Sequence, residues 1–125
     1  MLIQVNTDNN VTGREELHRT AEEVVTNTLK HFSHRISRVE VHLGDENSHK
    51  SGANDMRCMI ETRVEGIPPI AITHHADSLM EALTVATERM RESLDSKLGR
   101  LHDRKMRNAR SVLPGTDVTG GGMPS

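Results

Sequence analysis

Aromatic residues are almost missing from this chain of 125 residues, which has one Phe (Phe32), no Tyr and no Trp. Modules that hold single-stranded nucleic acid stack bases on exposed rings. A stacking platform is therefore excluded, and any contact with nucleic acid has to work through charge and shape. Cysteine is nearly as scarce: Cys58 is alone, so no disulfide can form within the chain. No apolar run approaches the roughly 20 residues that cross a bilayer. The start, Met1-Leu2-Ile3-Gln4-Val5-Asn6, lacks the basic and long apolar segments of a secretory signal. These absences make a cytoplasmic location, without membrane contact, the default expectation.

What is present suits one folded domain. About a third of the residues are apolar (34%), enough for a packed core at this length. Ile3 and Val5 share one face of a first strand, Leu2–Asn6, and Asp8-Asn9-Asn10 signals a turn. Thr12 followed by Glu15 has the form of a capping box. Leu17, Ala21, Val24, Val25, Leu29 and Phe32 then recur at helical spacing, predicting a helix over about 13–32. Val39, Val41 and Leu43 alternate with Arg38, Glu40 and His42 in a half-buried strand over 36–43. Gly44 to Asn54 reads as a flexible polar loop. The stretch 56–64 places Met56, Cys58, Ile60 and Val64 inward, Glu65-Gly66 turns the chain, and 70–73 forms a fourth strand. Pro68 and Pro69 lack ladder donors and belong at its start or on a sheet edge.

Asp77 is the expected N-cap of a second helix, whose stripe is Leu79, Leu83, Ala86, Met90, Leu94, Leu98 and Leu101, continuing to about Lys105. The fold class is α+β, in the order β-α-β-β-β-α: a four-stranded sheet with antiparallel hairpins among the later strands and both helices on one face. The expected domain covers 1–107. Pro114, Gly115 and Gly120-Gly121-Gly122 mark 108–125 as a disordered tail.

Charge is unevenly placed. Lys97, Arg100, Arg104, Lys105, Arg107 and Arg110 are opposed in their stretch only by Asp103, a local excess of +5 that leaves −7 on the rest. Such clusters attract phosphates and release counterions. Basic residues also complement the macrodipole at a helix C-terminus, but that explains one or two in the last turn, not six over fourteen residues. Arg89 and Arg91 extend the basic character upstream.

Other chemistry finds little footing. His31 and His34 stand three apart, yet no Cys-x-x-Cys or His-Glu-x-x-His pattern supplies further metal ligands. Adjacent His74 and His75 in a strand end point to opposite faces. Cys58 lies in the inward register, where a thiol packs rather than reacts. Asp45, Glu46 and His49 share a loop with nothing to fix their geometry. No glycine-rich phosphate loop follows a strand. The expectation is a non-enzyme with no catalytic residues, no metal, no cofactor and no small-molecule substrate.

The order of elements and the basic second helix resemble the ribosome hibernation-promoting factors, also called ribosome-associated inhibitors, in their short form. Asp8-Asn9-Asn10-Val11, Leu29-Lys30-His31-Phe32 running to Ile36–Leu43, Asp77, and Glu88-Arg89-Met90 carry the likeness, over about residues 1–105. The resemblance implies a binding partner in the small ribosomal subunit and its rRNA, occlusion of the channel for messenger and transfer RNA, and translation inhibition in stress or stationary phase. By position it implies RNA contacts at Lys30, Arg89, Lys97 and Arg100. The local charge adds Arg91, Arg104 and Lys105 to that set. The chain departs from the family pattern at Thr26, Asn27 and Thr28, and again at Glu92 and Ser96, which thins the basic face. Long members carry a C-terminal dimerising domain, so ribosome pairing through one is not expected here; homo-oligomerisation is otherwise left open. The alternatives are a protein-interaction module of the same fold with little RNA contact, and a binder of double-stranded RNA.

Overall fold

A computed structural model describes residues 1–9, 11–46 and 55–112, with side chains through residue 108. The elements are β1 (Leu2–Thr7), α1 (Arg14–Leu29), a 3-10 turn (Lys30–Phe32), β2 (Ile36–Asp45), β3 (Met56–Val64), β4 (Ile70–Ala76) and α2 (Leu79–Val112). The chain divides into two compact units, Met1–Ser93 and Leu94–Ser125, with the boundary inside α2.

The first unit holds a four-stranded mixed sheet in the order β1-β2-β3-β4. β1 runs parallel to β2, pairing Leu2 with Arg38 through Thr7 with Leu43. A parallel pair cannot be joined by a tight turn, and α1 is the crossover. The β2–β3 and β3–β4 pairs are antiparallel, with Val41 opposite Ile60 and Ile60 opposite Ile72. The period of two puts Val39, Val41, Leu43, Cys58, Ile60, Thr62 and Val64 on one face, all buried. Ala21, Val25 and Leu29 of α1 and Ala82, Leu83, Ala86 and Met90 of α2 complete this core. The other face is polar. There Arg38 bonds Gln4 and pairs with Glu40 at 3.0 Å, while Glu46 takes His75 at 2.6 Å. The α+β class, the element order and the antiparallel later strands agree with the sequence reading.

Both helix starts differ from that reading. No capping box forms at α1: Gly13 is the N-cap, at φ 65°, and no side chain caps the helix. Glycine alone takes this left-handed backbone without steric cost, so Thr12 falls one position too early to reach the free donors. At α2 the cap is Ser78 rather than Asp77; its Oγ accepts from the Glu81 N–H at 3.1 Å, three residues on. β2 continues through Gly44 and Asp45, and β4 takes in His74 and His75. α2 runs to Val112, past the expected end at Lys105 and through the first residues assigned to a tail. The rest of that tail, 113–125, and positions 47–54 of the expected loop lie outside the described residues, as does Asn10.

Candidate nucleic-acid interface

Three of the seven cations expected at an RNA interface belong to the first unit. Lys30 opens the 3-10 turn after α1, between buried Leu29 and buried Phe32. Those two anchors hold Lys30 and His31 outward, and the His31 ring packs edge-on against Phe32 at 5.3 Å. Arg89 is exposed on α2, placed by its buried neighbours Ala86 and Met90. Arg91 is half-buried, and its guanidinium meets the Glu88 carboxylate at 2.6 and 2.8 Å. Its charge is largely offset within the helix, whereas Lys30 and Arg89 have no carboxylate partner among the described residues.

The second unit supplies Lys97, Arg100, Arg104 and Lys105, all exposed. At about 100° per residue, Lys97, Arg100, Arg104 and Arg107 fall within an arc of about 80° on α2. Leu94 and Leu98 are buried on a different azimuth. Asp95 projects from the far side and Asp103 from the margin of the cationic arc, and neither forms an ion pair with it. Arg100 donates to Ser96 Oγ at 3.0 Å, a neutral contact that orients the guanidinium without cancelling its charge. Lys105 instead continues the azimuth of Leu94 and Leu98, beyond the last buried position. Spacings of three and four residues are what align the four cations; the same side chains at other intervals would ring the helix.

The first helix does not contribute in kind. Its exposed positions include Glu15, Glu16, Glu22 and Glu23 against Arg14 and Arg19. Of the expected contacts, the exposed cations without a carboxylate partner among the described residues thus lie on α2 and at Lys30, not on two equally basic helices.

The side chains weighed for catalysis and metal binding are placed as follows. Among the described residues, no group of three His, Cys, Asp or Glu side chains could hold a metal ion. Cys58 is fully buried, and desolvation pushes its thiol up to about 12, against a weak opposing pull from the Arg57 guanidinium. A nucleophilic cysteine needs the opposite shift. His74 and His75 stand on opposite faces, as expected, and Pro68-Pro69 precede β4, an edge strand. No described helix is long and apolar enough to cross a membrane.

The sequence matches no protein-family model and no curated protein. Solved structures do match. The Protein Y N-terminal domain of Thermus thermophilus superposes with a TM-score of 0.59 at 14% identity, over 75% of this chain and 96% of that one. A ribosomal subunit interface protein from Coxiella burnetii superposes with a TM-score of 0.56 at 10% identity, over 79% of this chain and 99% of that one. At such low identity the agreement is one of architecture, and the chain has the fold of these two proteins.

Proposed function

We propose that this chain is a ribosome-associated hibernation factor that binds small-subunit rRNA and blocks the channel used by messenger and transfer RNA. The observation that carries this reading is the cationic arc of Lys97, Arg100, Arg104 and Arg107, exposed and without carboxylate partners among the described residues. The fold supports it, because of the two solved structures named above one is a ribosomal subunit interface protein and the other is the N-terminal domain of Protein Y. The absence of Tyr and Trp supports it too. Folded RNA is gripped through phosphates and groove shape, which requires no rings. Lys30 and Arg89 add separate contacts from the first unit; Arg91 and Lys105 complete the set in weaker positions. Inhibition follows from occupancy, since phosphates covered by this protein are denied to the translation ligands. The reading places the protein in the cytoplasm and requires no catalysis.

The second reading, a protein-interaction module with little RNA contact, draws on the exposed glutamates of α1, which would suit a basic protein surface. Cosedimentation with purified small subunits separates the two. Binding should weaken steeply with salt, and changing Lys97, Arg100 and Arg104 each to Gln should lower the log–log salt slope by roughly one for every phosphate no longer neutralised. Changing all three to Glu should abolish pelleting while leaving the circular dichroism spectrum unchanged. Full retention by the Glu variant would sink the RNA reading.

A further inference from the structure

A cleft of about 380 Å³ opens at one end of the sheet, and all the residues that line it belong to the first unit. It is built where three pieces of chain meet: His34 and Arg35 from the turn before β2, Arg63 and Glu65 from the end of β3, and Ile67 and Pro69 from the link into β4. Its frame is irregular. The β2–β3 register slips between Ile36 and Arg38, so Ser37 has no partner in the ladder, and its Oγ donates to the Arg63 carbonyl at 3.2 Å instead. The Glu65 N–H closes on the Arg35 carbonyl at 3.4 Å. Bulges of this kind re-aim side chains and concentrate beside functional sites. This one brings together two arginines lying 28 positions apart in sequence.

The electrostatics point one way. Arg35 is half-buried and Arg63 exposed, and neither forms an ion pair among the described residues, although Glu65 lines the same cleft. Two guanidinium groups and an imidazole line the cleft against the one carboxylate of Glu65, and each guanidinium can take a planar or tetrahedral oxyanion through two parallel N–H donors. Ile67 and Pro69 add apolar surface to the lining. A volume near the lower end for small-molecule sites suits a ligand the size of a mononucleotide, with an anionic end and a flat apolar body.

We propose that this cleft binds a phosphorylated small molecule of mononucleotide size, its phosphate held by Arg35 and Arg63 and its body against Ile67 and Pro69. An RNA backbone carries the same phosphate, and titration with a duplex in parallel distinguishes the two sources. The cleft would serve this ligand whether or not the protein binds ribosomes.

The test is isothermal titration of the full chain with adenosine 5′-monophosphate, inorganic phosphate and a short RNA duplex in parallel. The expected result is saturable binding of the nucleotide, tighter than inorganic phosphate. Changing Arg35 and Arg63 together to Gln should weaken it about tenfold or more, and changing the exposed Arg14 and Arg19 of α1 to Gln should leave it unaltered. A thermal melt of each variant shows whether it remains folded. Should the arginine pair prove needed for folding, His34→Ala and Ile67→Ala offer a second route, each expected to weaken nucleotide binding severalfold. No nucleotide binding at millimolar concentration overturns the proposal. So does binding that the cleft variants leave intact, or a cleft dependence seen only with the RNA duplex.

Discussion

The start of α2 turns on one hydroxyl. Ser78 Oγ accepts from the Glu81 N–H, and the Ser78 carbonyl takes the Ala82 N–H at 3.0 Å, so this residue satisfies two donors that would otherwise face solvent unpaired. Ser78→Ala should therefore cost about 1 kcal/mol and lower the thermal midpoint by about 4 °C. Thr12→Ala, at the position the sequence pattern marks as part of a capping box, should change stability by less than about 0.5 kcal/mol. Paired thermal melts decide it, and a larger loss at Thr12 than at Ser78 would mean the caps have been misassigned. Both misreadings from sequence share a cause. Ser, Thr and Asp are near-equivalent as caps, and only the backbone entering the helix determines which of several neighbouring oxygens reaches the donors. A glycine in left-handed conformation ahead of α1 decided that case, and nothing in the pattern Thr12-Gly13-Arg14-Glu15 displays it.

Among the elements, β3 was legible to the residue. Its inward row of Met56, Cys58, Ile60, Thr62 and Val64 alternates with outward Arg57, Glu61 and Arg63, and a central strand with one polar face leaves little freedom in register. Thr62 is the discordant member: it is fully buried, opposite Val39 and Ile70, and its hydroxyl has no hydrogen-bond partner among the described residues. Thr62→Val replaces that hydroxyl by a methyl of similar shape and should stabilise the protein by about 1 kcal/mol, measurable as a shift of the urea midpoint at constant slope; a destabilised variant would reveal an acceptor that serves the hydroxyl. The end of α2 was less legible. Its apolar stripe stops at Leu101, but Lys105, Met106 and Arg107 are good helix formers, and local propensity carries the helix to Val112 with no hydrophobic period to announce it. The candidate interface divides in the same manner. The basic cluster can be read from residues 97–110, but the contacts expected from it took in Lys105 and left out Arg107, which helical spacing puts in the arc instead. The Arg35–Arg63 cleft cannot be read so, because sequence distance hides a proximity that only strand pairing creates.

At the scale of the molecule, charge and acidity are partitioned rather than blended. A chain with a formal charge of −2 concentrates its basic excess at the end of α2 and spreads its acidic excess over the rest, α1 included. Bulk isoelectric behaviour consequently says little about whether it binds RNA. The buried thiol adds a global pH response. Cys58 is held near 12 in the fold against an ordinary 9.0 in the open chain. Below pH 9 both states keep the proton and stability is unaffected. Between about 9 and 12 the open chain releases it and the folded chain does not, so stability falls by about 1.4 kcal/mol per pH unit, levelling once the folded thiol itself ionises. With no tyrosine titrating in that range, the loss should be plain in denaturant midpoints taken at pH 8, 9 and 10, and Cys58→Ala should flatten it. An equally steep decline in that variant would assign the effect to other groups.

The pairing of β1 with β2 also sets an order of events during synthesis. Residue 2 finds its neighbour at residue 38, across an entire helix, whereas β2, β3 and β4 zip through successive local reversals. The strand made first thus waits longest for its mate, and the cost of closing so wide a gap falls as α1 winds and shortens it. Until then Leu2, Ile3 and Val5 have no strand to pair with, and a slower-forming α1 would leave that apolar stretch exposed to other chains for longer.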